Sequence, residues 1–122
     1  MFIEHNQNPN NDNIDDCVIR AISFALDIPY WDVFDELCEI NDSKYPDSAL
    51  NTFPVFNTYL DQKGLECRWF NKKLTVKQFS DGFDEGTALL LVNGHMTVIK
   101  DGDIYDTWNP SRYKCQFCWV VK

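Results

Sequence analysis

The chain has 122 residues, 44% of them hydrophobic, with nine Phe and four Trp. That suffices for one domain, residues 1–122, around one core, and no run nears the roughly 18 apolar residues of a membrane span. A formal net charge of -8 argues against a phosphate-backbone partner, so neither nucleic acid nor membrane is an expected partner.

The charge is uneven. Residues 1–50 carry eleven acids and two bases, whereas residues 51–122 carry eight acids and nine bases. The N-terminal half therefore presents an acidic surface, which serves solubility or suits a basic or peptide partner. Five cysteines, an odd number, stand at 17, 38, 67, 115 and 118. The first residues, MFIEHNQNPNNDN, have no basic region and no apolar core, so a secretory signal is not expected. Reduced thiols in a cytoplasmic compartment follow.

In chain order, residues 2–4 are predicted as a short edge strand and 5–16 as a polar loop. Asp15 or Asp16 caps a helix through about Leu26, with apolar positions at 18, 19, 22, 25 and 26 and Cys17 in its first turn. Pro29 starts or precedes a second helix through about Ile40, whose Asp32, Asp35, Glu36 and Glu39 face water. Residues 41–51 read as a loop. A third helix runs from about Phe53 to Lys63, capped by Thr52 and closed by Gly64. Leu65 to Phe70 looks like a strand. Thr75 to Gln78 has the form of a capping box opening a short helix that reaches Phe79. Thr87 to Val92 reads as a central strand and Cys115 to Val121 as the last one. Helices followed by a mostly antiparallel sheet make an α+β fold.

Between those last two strands lies GHMTVIKDGDIYDTW, residues 94–108. Asp101-Gly102 is a strong hairpin signal. With those two as the loop, Val98 faces Tyr105, Thr97 faces Asp106 and His95 faces Trp108. Asp106 becomes the diagonal neighbour of His95, roughly 7 Å or less away at Cβ. A carboxylate there holds an imidazole in one tautomer, which makes a base and its orienting group. The plainer reading is a polar edge hairpin. Cys17 has a plainer reading too, as a half-buried thiol at the start of a helix. Against that, the first turn of a helix offers free N–H groups and a positive dipole end, which favour a thiolate and an oxyanion. Asp15 and Asp16 work against it. Cys115-x-x-Cys118 is a single pair in an apolar strand-like run that sends its members to opposite faces, so core thiols are expected and no metal or cofactor.

Cys17, His95 and Asp106 stand in the order and on the elements of a papain-like cysteine peptidase. The chain resembles a minimal form of that superfamily, with a papain-like core. The resemblance implies Cys17 as nucleophile, His95 as base and Asp106 as orienting residue. Asp106-Thr107-Trp108 has the form of the papain Asn-Ser-Trp, so Trp108 is implied as cover for the pair. Papain-like peptidases place an oxyanion-hole Gln six residues before the cysteine. Here Asn11 stands there, with Gln7 and Asn13 as further candidates. Over nearly its whole length the chain is also similar to small uncharacterised phage and prophage proteins sharing forms such as DCVIRAI and GHxTxVxxGxxYDTW. For a phage protein the compartment is the host cytoplasm.

The expectation is a cysteine hydrolase acting on an amide, peptide or thioester carbonyl of a peptide or protein substrate, with a basic one suiting the acidic surface. Two alternatives stay open. One is an acyltransferase with the same triad. The other is a non-enzymatic accessory or host-inhibitory binding protein that uses the acidic surface.

Overall fold

Residues 1–11 and 15–121 are described by a computed structural model. Among them the elements run β1 (Phe2–Glu4), α1 (Cys17–Leu26), α2 (Tyr30–Lys44), α3 (Phe53–Gln62), β2 (Cys67–Trp69), α4 (Val76–Asp81), β3 (Thr87–Val92), β4 (His95–Lys100), β5 (Asp103–Asp106) and β6 (Phe117–Val121). The strands form one sheet in the order β1-β5-β4-β3-β6-β2. Only β1 and β5 pair in parallel; the remaining neighbours are antiparallel. This is the expected α+β arrangement, with the first three helices packed on a mostly antiparallel sheet.

β3 explains why the sheet has two covered faces. Its Leu89 and Leu91 join Ile22, Val33, Leu37, Leu60, Met96 and Val98 in the core beneath α1, α2 and α3. Its Leu90 and Val92 join Val76, Ile99, Ile104 and Cys118 in a second core under α4. A strand buried on both faces is apolar at every position rather than at alternate ones. Trp119 of β6 is fully buried in the first core, and its indole N–H donates to Asn57 Oδ1 at 3.1 Å.

Several boundaries differ from those expected, each for a local reason. α2 extends past Ile40 to Lys44: Lys44 suits the negative end of the helix, and Pro46 ends it through Tyr45. β2 is shorter than 65–70, because Leu65 closes α3. Its amide donates to Leu60 O at 3.0 Å while Gly64 takes φ +83°, a Schellman ending. Thr52 and Asp16 sit at the N-cap positions of α3 and α1 without bonding the first-turn amides. Thr52 donates its hydroxyl to Ala49 O instead. At α4 the capping box is complete, with Gln78 N to Thr75 Oγ1 at 3.1 Å and Thr75 N to Gln78 Oε1 at 2.9 Å. Cys115 and Cys118 share the core under α4, contrary to the expectation of opposite faces. β6 begins only at Phe117, so strand alternation does not govern Cys115.

No helix among the described residues is long and apolar enough to cross a membrane.

Candidate active site

Two tight turns build the site. Asn93 and Gly94 both take positive φ, 45° and 79°, and return the chain from β3 so that β4 starts at His95. Asp101 and Gly102 do the same at φ 50° and 83°, and β5 then pairs back with Val98 opposite Tyr105. Both are hairpins of the kind that two positive-φ residues favour. The β4–β5 ladder stops at Val98–Tyr105. Beyond it β1 holds β5: Glu4 pairs with Asp106, and the His5 amide donates to Asp106 O at 2.8 Å. β4 and β5 part at this end of the sheet, and α1, packed on β4, brings Cys17 to the parting.

His95 Nε2 lies 2.7 Å from Asp106 Oδ2. The other carboxylate oxygen, Oδ1, accepts the Thr107 amide at 2.7 Å, which fixes its rotamer. Cys17, which lines a small cavity together with Asp106, also acts on the His95 ring. With Nε2 engaged by Asp106, Nδ1 is the ring nitrogen left to meet the thiol. Burial lowers the pKa of the ring, but the hydrogen bonds to Asp106 and Cys17, and the charges of both, outweigh it and raise it to about 9. The imidazolium is therefore favoured at neutral pH.

Trp108 lies against His95, with ring centroids 4.4 Å apart and planes tilted by 37°. It is 40% exposed, so it shields one face of the imidazole and keeps its own outer edge in water. Cys17 is 7% exposed. On its inner side a cavity of about 20 Å³ is lined by Gln7, Cys17, Arg20, Met96 and Asp106 among others, room for about one water.

The negative charge of Asp16 is absorbed by a buried network. Its carboxylate accepts from Tyr30 Oη at 2.6 Å and Asn8 Nδ2 at 3.0 Å, and it pairs with Arg20. Burial pulls the Arg20 guanidinium below its ordinary value, while the charge of Asp106 opposes this. Arg20 thus pairs with the acid at the helix start and also feels the charge of Asp106. Neither Arg20 nor Asn8 was among the expected site residues. Arg20 is legible in hindsight, four residues after Asp16 and three after Cys17 on one helix. Asn8 carries no such signal, since it lies in an irregular polar loop.

The three oxyanion candidates are not gathered in the same way. Gln7 lines the cavity beside Cys17, but its amide nitrogen donates to Ser23 Oγ at 3.1 Å and its oxygen meets His5 Nε2 at 2.7 Å. Asn11 is exposed, in a turn closed by its own amide on Asn8 O at 2.9 Å, with φ +53°. Asn13 lies outside the described residues. The remaining donor is the Cys17 backbone N–H, which a first-turn residue cannot satisfy within its helix. Thr97, expected opposite Asp106, is buried, and its hydroxyl has no partner among the described residues.

No group of three or more His, Cys, Asp or Glu side chains that could hold a metal ion occurs among the described residues. All five cysteines are free. The chain matches no family model, no curated protein and no solved structure.

Proposed function

We propose that this protein is a cysteine hydrolase or acyl-transferring enzyme with Cys17, His95 and Asp106 as its triad, built on a minimal papain-like core. One observation carries the reading: His95 is hydrogen-bonded to Asp106 at 2.7 Å, and Cys17, which lines a cavity with Asp106, acts on the same ring. A purely structural hairpin needs neither interaction, whereas thiol chemistry needs both.

In this reading the Cys17 proton already rests on His95 as an imidazolium, and the Sγ thiolate attacks the carbonyl carbon of an amide, peptide or thioester. The C=O π pair moves to oxygen, which faces the Cys17 N–H. The tetrahedral species collapses, the bond to the leaving nitrogen or sulfur breaks, and His95 returns the proton to it. Water, or another nucleophile in a transferase, then attacks the acyl-cysteine with His95 again as base. Asp106 keeps the ring oriented, and Trp108 keeps water from one face of it. A peptide or protein substrate is the fitting class, in a cytoplasmic setting, and the chemistry asks for no cofactor.

The binding-protein reading draws on the solvated face of α2, where Asp32, Asp35, Glu39 and Asp42 are exposed. It leaves the Cys17–His95–Asp106 contacts without a use. Incubation with a thioester or fluorogenic amide panel separates the two. The enzyme reading expects a covalent acyl adduct on Cys17 that Cys17→Ala abolishes. A panel that acylates neither the wild type nor any variant, with Cys17 also inert to alkylation, would leave the binding reading.

A further inference from the structure

The far edge of the sheet carries a charge opposite to that of the whole chain. Trp69, on the edge strand β2, is 72% exposed, the most open of the chain's tryptophans. With Lys72, Lys73, Lys114, Gln116 and Phe117 it lines an open groove of about 360 Å³. The three lysines are exposed and make no ion pair among the described residues. No acidic side chain lines the groove. The outer edge of β2 has no neighbouring strand among the described residues.

The groove also opens at the triad's end of the sheet. Trp69 pairs with Phe117, Phe117 with Leu91 and Leu91 with Met96, the residue after His95. Three inter-strand spacings separate β2 from β4, roughly 14 Å, or about four residues of extended peptide. Aromatic side chains span part of that distance: Trp108 on His95 touches Tyr113 at 5.4 Å between centroids, and Tyr113 is exposed beside Lys114.

We propose that this groove binds an acidic segment of a polypeptide, and that it serves as a recognition subsite for the substrate of Cys17. The binding stands on the groove alone; the subsite role rests on the cysteine-enzyme reading. Unpaired ammonium groups attract carboxylates. The open edge of β2 offers main-chain hydrogen bonds to an added strand, and Trp69 supplies an apolar platform. A short acidic segment fits better than a polyanion, because three lysines end against a chain of net charge -8.

The test uses the full chain carrying Cys17→Ala and three fluorescein-labelled probes: an oligoglutamate peptide, an oligolysine peptide and a single-stranded oligothymidylate. Anisotropy should report binding of the oligoglutamate, weakening with salt. Charge reversal by Lys72→Glu, Lys73→Glu and Lys114→Glu together should weaken it about tenfold or more, with an unchanged melting curve. Trp69→Ala should weaken it by a smaller factor. Tighter binding of the oligothymidylate, binding of oligolysine alone, or no binding at all overturns the proposal; the last leaves the lysines as guards of an open sheet edge. For the subsite role, wild-type protein meets a chloroacetyl group joined through a short glycine spacer to oligoglutamate or to oligoglutamine. The acidic reagent should alkylate Cys17 about tenfold faster. Binding with equal alkylation rates overturns the subsite role. Binding with Cys17 inert to both reagents overturns the enzyme reading and leaves the acidic-segment site standing.

Discussion

Cys17 and the Cys115–Cys118 pair are all buried thiols, yet they live in different chemistry. Cys17 lines a cavity with Asp106 and acts on the His95 ring, where two strands part. Cys115 and Cys118 lie among Val76, Leu90, Val92 and Ile99, and burial first, then the neighbouring thiol, pushes Cys115 up to about 12. Apolar surroundings silence a thiol, and a polarised imidazole arms one. Cys-x-x-Cys is the more familiar motif, yet both of its members stand in the apolar core, as expected of core thiols. What separates the two regions is what a long-range fold brings next to each sulfur.

His95→Ala should do most to erase the difference. Alkylation of Cys17 by iodoacetamide at neutral pH should fall by about 100-fold or more, with Cys115 and Cys118 as protected as before. Labelling of Cys17 at an unchanged rate would break the comparison. Asp106→Ala should come next, at about 10- to 100-fold, because the ring loses the group that orients it. That variant should also be read for stability, since Arg20 loses a nearby charge partner.

The pH dependence of stability sharpens the same point. The His95 ring is raised to about 9 in the folded chain, above the ordinary histidine value near 6.5 that holds when unfolded. The folded state therefore holds a proton that the unfolded chain gives up. This contribution is complete below about pH 6.5 and is lost as pH rises through about 9. Urea midpoints should fall across that window, and Asp106→Asn should flatten the fall. An identical slope in both proteins would contradict the pairing.

Trp108→Ala should cost about 1–2 kcal/mol, below the range for a fully buried tryptophan, because the ring is 40% exposed. Thermal melts check this, and Cys17 labelling should slow with the loss of cover. The smallest effect belongs to Thr97→Val. Its buried hydroxyl has no partner, so the change should be neutral or stabilising by about 1 kcal/mol, with Cys17 labelling unchanged.

Much of this was legible in local sequence. Asp101-Gly102 fixes the β4–β5 register as far as Val98–Tyr105, one residue short of Asp106, which β1 then holds. Thr75 and Gln78 cap α4 through side chains three residues apart. What escaped depends on contacts across the fold. Asp16 reads as a helix cap, but Asn8, Arg20 and Tyr30 claim its carboxylate instead of the first-turn amides. Gln7 reads as an oxyanion donor, yet Ser23 and His5 hold both ends of its amide. Cys115 reads as a strand residue, but the strand begins two residues later. The basic groove at Trp69 gathers residues from β2, the following loop and the approach to β6, which no single stretch of sequence displays.

Cys17 alone among the five cysteines should be reactive in the folded protein. Brief treatment of the folded protein with substoichiometric iodoacetamide at neutral pH, followed by peptide mapping, tests it directly. The account predicts carboxamidomethylation of Cys17 first and fastest, with Cys115 and Cys118 modified only after unfolding. Modification of Cys38 or Cys67 while Cys17 stays intact would contradict it.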